Sequence, residues 1–254
     1  MKWFHVLFLI LWGQQLIVGQ DPLINRIGPR QGLPSATVFR VLPDGPGRVW
    51  LGTENGLVHS NGHSLTHYPF TDSIYRNAVL GLCDDGDSGL WVSLFRQGVY
   101  HYRDQQLQKV LGPAYHLERI IGLRQDSQGT TLGLSSREGL LRLSLEGYQQ
   151  VLPHRKCLSL TLVADTFWVG TDSGLYTCSA PNYHFQVFPG TEGLHIRDFN
   201  ASPTGRKWMI SDQGLFSFRV GKWVSANLPE SREPVSYLCP DAHGYVWLAF
   251  KQRG

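Results

Sequence analysis

Apolar residues along this chain come in short runs, and each run is closed by a polar turn. In "VFRVLPDGPGRVWLGTENGLVHSNG", residues 38–62, the runs "VFRVL", "VWLG" and "LVHS" are separated by "DGPG" and "TENG". Asp hydrogen-bonds its own backbone and Gly tolerates positive φ, so such segments make tight turns. The pattern predicts short β-strands joined by hairpins. "DDGDSG", "DSQG", "SPTG" and "DAHG" repeat the first turn further along, and "FRQG", "SREG", "TDSG" and "SDQG" repeat the second.

The recurrence is periodic. Trp50, Trp91, Trp168, Trp208 and Trp247 hold one place in the phrase, and Leu132 holds it in "GTTLGLSSREGLLRL". These six markers are separated by 41, 41, 36, 40 and 39 residues. Twelve residues before the marker stand Val38, Val79, Ile120, Ile196 and Val235; nine before stand Val41, Leu82, Leu123, Phe199 and Leu238. Six before stand Asp44, Asp85, Asp126 and Asp241, with Ser202 in the remaining case. The unit around Trp168 is shorter and loses part of this register. After the second turn, Leu57, Val99, Leu140, Leu175 and Leu215 open another strand, and outer runs such as "LTHYPF" and "YHFQVFPG" close most units.

Four antiparallel strands in a unit of about 40 residues are a β-propeller blade. The predicted fold is therefore all-β, a β-propeller of four-stranded antiparallel blades with about six repeats. The blades fall around residues 32–70, 72–110, 115–152, 157–189, 193–228 and 233–254. The last is incomplete at "WLAFKQRG", which predicts a partial or truncated propeller. A sandwich or barrel needs no such fixed phase. The markers are expected to fill the space between blades, a structural duty that takes precedence over ligand stacking.

Composition agrees with this reading. Of 254 residues, 42% are apolar and 17% charged, which is a folded chain. The net charge of +3 is small and no basic run tracks along a strand, so nucleic-acid binding is not expected. Residues 1–20 read as a secretory signal peptide: Lys2, an apolar stretch from Trp3 to Trp12, then small residues around Gly19 and Gln20. That stretch falls short of the roughly 20 residues needed to span a bilayer. The propeller then covers 21–254, and the product is expected to be exported, periplasmic or extracellular. Cys83, Cys157, Cys178 and Cys239 show no CxxC pair or zinc-type spacing; Cys83 and Cys239 read as small buried residues.

"GLPSATVFRVLPDGPGRVWLGTENGLVHSNG", residues 32–62, resembles the two-component regulator propeller repeat found in the exported sensor regions of hybrid sensor histidine kinases. "DTFWVGTDSGLYT" at 165–177 and "DAHGYVWLAF" at 241–250 match it less fully, and Leu132 departs from it. The resemblance runs over about residues 22–254. It implies a ligand-sensing domain and, in the full-length sensor, a homodimer. "LINRIG", residues 23–28, reads as an outermost strand without a blade of its own.

No GxSxG, HExxH, GxGxxG or phosphate-cradling Gly-Lys loop is present. No catalytic, metal or cofactor site is assigned, and the segment is expected not to be an enzyme. "DDGDSG" with Asp85 and Asp87 reads as a hairpin rather than a calcium loop. His63, His67, His101 and His184 fall in or near outer runs as exposed strand residues. The binding candidates lie where loops lead into the innermost strand or leave the marker strand. They are Arg76, Tyr115, His116, Arg119 and Arg197, with Arg96 and Arg137. Guanidiniums mixed with aromatics suit anionic or sugar ligands. The expected partner is an extracellular signal ligand, with a glycan fragment as one candidate. Two other functions fit a propeller: a secreted polysaccharide lyase or glycosidase, and a scaffold for protein partners.

Overall fold

A computed structural model describes residues 27–68, 70, 77–111, 119–144, 147–226 and 235–250. The predicted signal peptide and most of "LINRIG" lie outside the described residues. Ile27 and Gly28 precede a short 3-10 turn, Pro29–Gln31, and are not in a strand.

Every unit is an antiparallel meander. The first sheet runs β1 (Val38–Pro43), β2 (Val49–Thr53), β3 (Gly56–Ser60) and β4 (Leu65–Tyr68). The second is β5 (Val79–Asp84) to β8 (Gln106–Leu111), with β6 (Leu90–Leu94) and β7 (Gly98–Arg103) between. The third holds β9 (Ile120–Gln125), β10 (Thr131–Ser135), β11 (Gly139–Ser144) and β12 (Gly147–Gln150). The fourth holds β13 (Cys157–Val163), β14 (Thr166–Thr171), β15 (Gly174–Ser179) and β16 (Gln186–Val187). The fifth holds β17 (Ile196–Ala201), β18 (Lys207–Ser211), β19 (Gly214–Arg219) and β20 (Lys222–Ala226). The sixth has two strands among the described residues, β21 (Val235–Pro240) and β22 (Val246–Phe250). The first strands lie side by side in chain order, β1 by β5, β5 by β9, β9 by β13, β13 by β17 and β17 by β21. They surround a common axis, as in a propeller.

The markers sit at one register in their sheets. Trp50 pairs with Leu42, Trp91 with Cys83, Leu132 with Arg124, Trp208 with Asn200 and Trp247 with Cys239, always eight residues back. Trp168 pairs with Thr161, seven back, in the shortened unit. The reason is the neighbouring blade. Trp50 shares a cluster with Val79 and Leu82, Trp91 with Ile120 and Leu123, Trp168 with Ile196 and Phe199, and Trp208 with Val235 and Leu238. Each of these four markers thus packs with two apolar residues of the next innermost strand. Trp168 stacks on Phe199 with ring centroids 4.5 Å apart and planes 14° off parallel. Leu132 is smaller, and Tyr183 and Phe185 of the following blade pack against its cluster.

Two further features hold the blades close. Every first strand carries an irregularity between its first and third residues, such as Val38/Arg40, Val79/Gly81 and Ile196/Asp198. Such a bulge bends the strand and re-aims the side chains beyond it. Gly52 and Gly170, two residues after their markers, let the next blade in: a Cβ at Gly52 would come 2.8 Å from Cγ1 of Val79, and one at Gly170 2.8 Å from the Ile196 carbonyl.

The first and last blades depart from the expected burial. Trp247 is 67% exposed and Val41 63%, whereas Trp50, Trp91, Leu132, Trp168 and Trp208 are at most 9% exposed. Trp247 lacks a following strand pair to cover it, and Val41 lacks a preceding marker, among the described residues. Cys239, beside Trp247, is exposed for the same reason, contrary to its reading as a buried residue; Cys83, Cys157 and Cys178 are buried, and all four are free thiols.

Burying a tryptophan is worth roughly 4–6 kcal/mol gross by area. Trp168→Ala is expected to lower unfolding free energy by about 3–5 kcal/mol and Trp247→Ala by less than about 1 kcal/mol, measured by urea denaturation. Equal losses would show that the markers do not act as wedges between blades.

Candidate functional site

Strands in a meander alternate in direction, so their connections divide between two faces. The hairpins from first to second strand lie on one face. The turns from second to third strand share the other with the crossovers into the next blade.

The hairpin face is built from the aspartates. Asp85 accepts hydrogen bonds from the backbone N–H groups of Asp87 and Gly89, Asp126 from Gln128 and Thr130, and Asp241 from His243 and Tyr245. "DDGDSG" is therefore a self-capped hairpin. A carboxylate oxygen also reaches outward, Asp44 to His59 Nε2 at 2.9 Å and Asp85 to His101 Nε2 at 2.7 Å. Those imidazoles lie against the markers, His59 on Trp50 at 4.3 Å and His101 on Trp91 at 4.9 Å. His101 is accordingly half-buried rather than an exposed strand residue. Burial by itself would raise the Asp85 carboxyl; hydrogen bonds from Asp87, His101, Gly89 and Arg103 outweigh it and hold the group below the usual carboxylate range. The ion pairs among the described residues all involve Asp44, Asp85 or Asp87 on this face.

The opposite face has a different charge character. Arg96, in the turn between β6 and β7, and Arg119, just before β9, both lie over the Phe95 ring, at 5.3 and 6.0 Å from its centroid. They come from consecutive blades, and both are exposed. Arg137 lines a groove of about 310 Å³ with His154, Arg155 and Lys156 from the β12–β13 connection. There Arg155 donates to Ser173 Oγ at 2.9 Å and lies 5.8 Å from the Tyr176 ring centroid. Among the described residues, Arg96, Arg119, Arg137 and Lys156 make no ion pair. Arg197 is exposed on β17 and joins neither cluster. Arg76, Tyr115 and His116 lie outside the described residues. Arg155 and Lys156 were missed in the sequence; they stand in the crossover of the shortened unit, where the register offers no guide.

A third cluster occupies the axis and was also missed. Arg40, on β1, donates to the Phe39 carbonyl at 2.7 Å and to the Ile121 carbonyl on β9. Arg124, also on β9, donates to the Leu123 carbonyl at 2.7 Å. Asp198, on β17, accepts from the N–H of Phe199 at 3.0 Å and of Leu238, on β21, at 2.9 Å. Burial pushes the Asp198 carboxyl up to about 6, although both N–H groups and Arg124 pull it down. Burial also lowers Arg40, Tyr237 opposes this, and the like charge of Arg124 adds to it. The readable signal is a charge in an innermost strand: the phase of Arg40 and Asp198 carries Gly81 and Gly122 in the second and third units.

The first hairpin, Trp50 and the Gly52-Thr53 turn fall within one family profile. Residues 32–55 match the family model described as two component regulator propeller. The solved structures similar to the whole propeller include the extracellular domain assigned to a hybrid two component system of B. thetaiotaomicron. It is 16% identical with a TM-score of 0.67 over 91% of this chain and 34% of that one. A second such domain from B. thetaiotaomicron is 16% identical, with a TM-score of 0.56 over 84% and 36%. Virginiamycin B lyase from Staphylococcus aureus is 11% identical, with a TM-score of 0.68 over 86% and 79%. At these identities the likeness establishes the propeller fold. The chain spans about a third of the length of the two sensor domains. No curated protein matches it in sequence. No helix among the described residues is long and apolar enough to cross a membrane.

The raised carboxyl of Asp198 gives a distinct pH window. The unfolded carboxyl ionises near 3.8 and the folded one near 6, so between them the folded chain binds more protons. Stability from this group is full below about pH 4 and is lost as pH rises through about 6, a change on the order of 3 kcal/mol. The lowered Asp85 acts in the opposite sense and at lower pH. In Asp198→Asn the decline in melting free energy between about pH 4 and 6.5 should shrink, measured by denaturation across that range. An unchanged slope would show that Asp198 ionises normally in the folded chain.

Proposed function

We propose that this propeller is the ligand-binding part of an exported two-component sensor, and that it takes an anionic ligand, such as an acidic glycan fragment, on the face of the crossovers. The observation that carries this reading is the convergence of Arg96 and Arg119, from two blades, over Phe95, with no carboxylate partner among the described residues. An exposed guanidinium held against an aromatic face is pre-organised, and its fork matches carboxylates bidentately. The ring offers a sugar an apolar surface beside the charge. The regulator propeller repeat at residues 32–55 and the likeness to sensor extracellular domains support the sensing role. Export rests on the N-terminal apolar stretch. In this reading the propeller binds without converting its ligand.

Calorimetry against uronate-containing and neutral oligosaccharides tests the proposal. An acidic oligosaccharide should bind, binding should weaken with added salt, and Arg96→Ala/Arg119→Ala should weaken it at least about tenfold. Binding that ignores the double substitution would refute the site. Cleavage products in the same mixtures would replace the sensor with a lyase or glycosidase.

A further inference from the structure

We infer that the channel between the innermost strands is itself an oxyanion-binding site, formed by Arg40 and Arg124 and separate from the crossover face. The two guanidiniums come from the first and third blades. Arg40 spans from β1 to the Ile121 carbonyl on β9, passing the innermost strand β5 that lies between them. Its side chain therefore crosses the space the first strands enclose. Arg124, on β9, is near enough for its charge to act on both Arg40 and Asp198, and Tyr237 of the sixth blade acts on Arg40. Hydrogen bonds thus link the first blade to the third and the fifth to the sixth, and Arg124 lies within charge range of both Arg40 and Asp198.

Their charges do not cancel. No carboxylate oxygen among the described residues lies within 4.0 Å of either guanidinium. Each instead donates to neutral backbone carbonyls. Asp198, the carboxylate nearest in charge, spends its oxygens on the N–H groups of Phe199 and Leu238. Two half-buried cations of like sign, held by neutral partners, carry a cost that an anion would relieve. Each guanidinium carries five N–H donors, so donors remain for a ligand after the backbone bonds are made. The fork geometry selects carboxylate or phosphate oxygens over a spherical anion.

The site predicts binding that the crossover face does not control. The probes are sodium galacturonate, inorganic phosphate and neutral galactose at constant ionic strength, with affinity read by calorimetry and location by backbone amide NMR shifts. Galacturonate or phosphate should bind while galactose does not. Binding of phosphate as well as galacturonate marks a general oxyanion site; binding of galacturonate alone marks a uronate site; both uphold the inference. In the unsubstituted protein the shifts should centre on residues 39–41, 121–125, 198–199 and 237–238. Arg124→Gln should weaken binding at least about tenfold, and Arg96→Ala/Arg119→Ala should leave it within about twofold. Should Arg124→Gln fail to fold, the shifts in the unsubstituted protein decide alone. The inference is overturned by shifts centred on residues 96, 119, 137 and 155, by galactose binding as well as galacturonate, or by neither anion binding below about 10 mM. Shifts at the crossover face would leave the sensor reading intact while removing this one.

Discussion

The structure depends on one contact made between every pair of adjacent blades: a bulky side chain from the second strand set against the first two apolar residues of the next innermost strand. Trp168 on Ile196 and Phe199 is the fullest case. The contact is directional. Each blade offers a wedge on one side and a receiving surface on the other, so blades can stack only in one rotational sense. Gly52 and Gly170 follow from it, because the wedge is effective only if the backbones around it approach closely. The exposed Trp247 and Val41 show the same rule, since among the described residues Trp247 has no receiving strand and Val41 no wedge.

This constraint explains why so much of the fold was legible. A packing problem solved at each blade writes the same residue types at the same spacing, and the register from Val38 to Trp50 reappears around Val79 and Trp91, Ile120 and Leu132, and Ile196 and Trp208. Even the replacement of Trp by Leu132 was readable, since the phase on either side of it holds. Burial was less legible at Trp247 and Cys239, because the local sequence states what a residue would pack with and not whether a partner strand stands there. The bulge in each first strand left no mark either. The residues at its phase, Phe39, Leu80, Ile121, Leu158, Arg197 and Ser236, share no property a reader could pick out.

The candidate sites were legible only in part, for a related reason. Loops carry no repeat constraint, so a loop arginine looks like any solvated residue until coordinates bring two together, as with Arg96 and Arg119 over Phe95. His101 misled in the other direction. Alternation placed it on an outer strand, while the Asp85 carboxylate and the Trp91 face made it part of the hairpin's support. Asp85 thus does two jobs, capping its turn and seating an imidazole against the wedge, and Asp44 does the second.

The same architecture accounts for where charge is tolerated. An inner-strand side chain that faces a neighbouring blade must be apolar or small, as Val79, Leu82 and Gly81 are, because the wedge leaves no room for water. A long side chain that can bend past the bulge toward the axis escapes that rule. Arg40 does so and donates one hydrogen bond to the Ile121 carbonyl, on a strand two blades away, and one to the Phe39 carbonyl beside it. Asp198 stays beside its own strand and takes two backbone N–H groups. Burial weakens the charged form of both groups, so the axis holds ionisable residues at a cost that simple blade packing would not select. In a scaffold whose other repeats place Gly81, Gly122, Ser159 and Tyr237 at this phase, Arg40 and Asp198 are the charges carried there against the cost of burial.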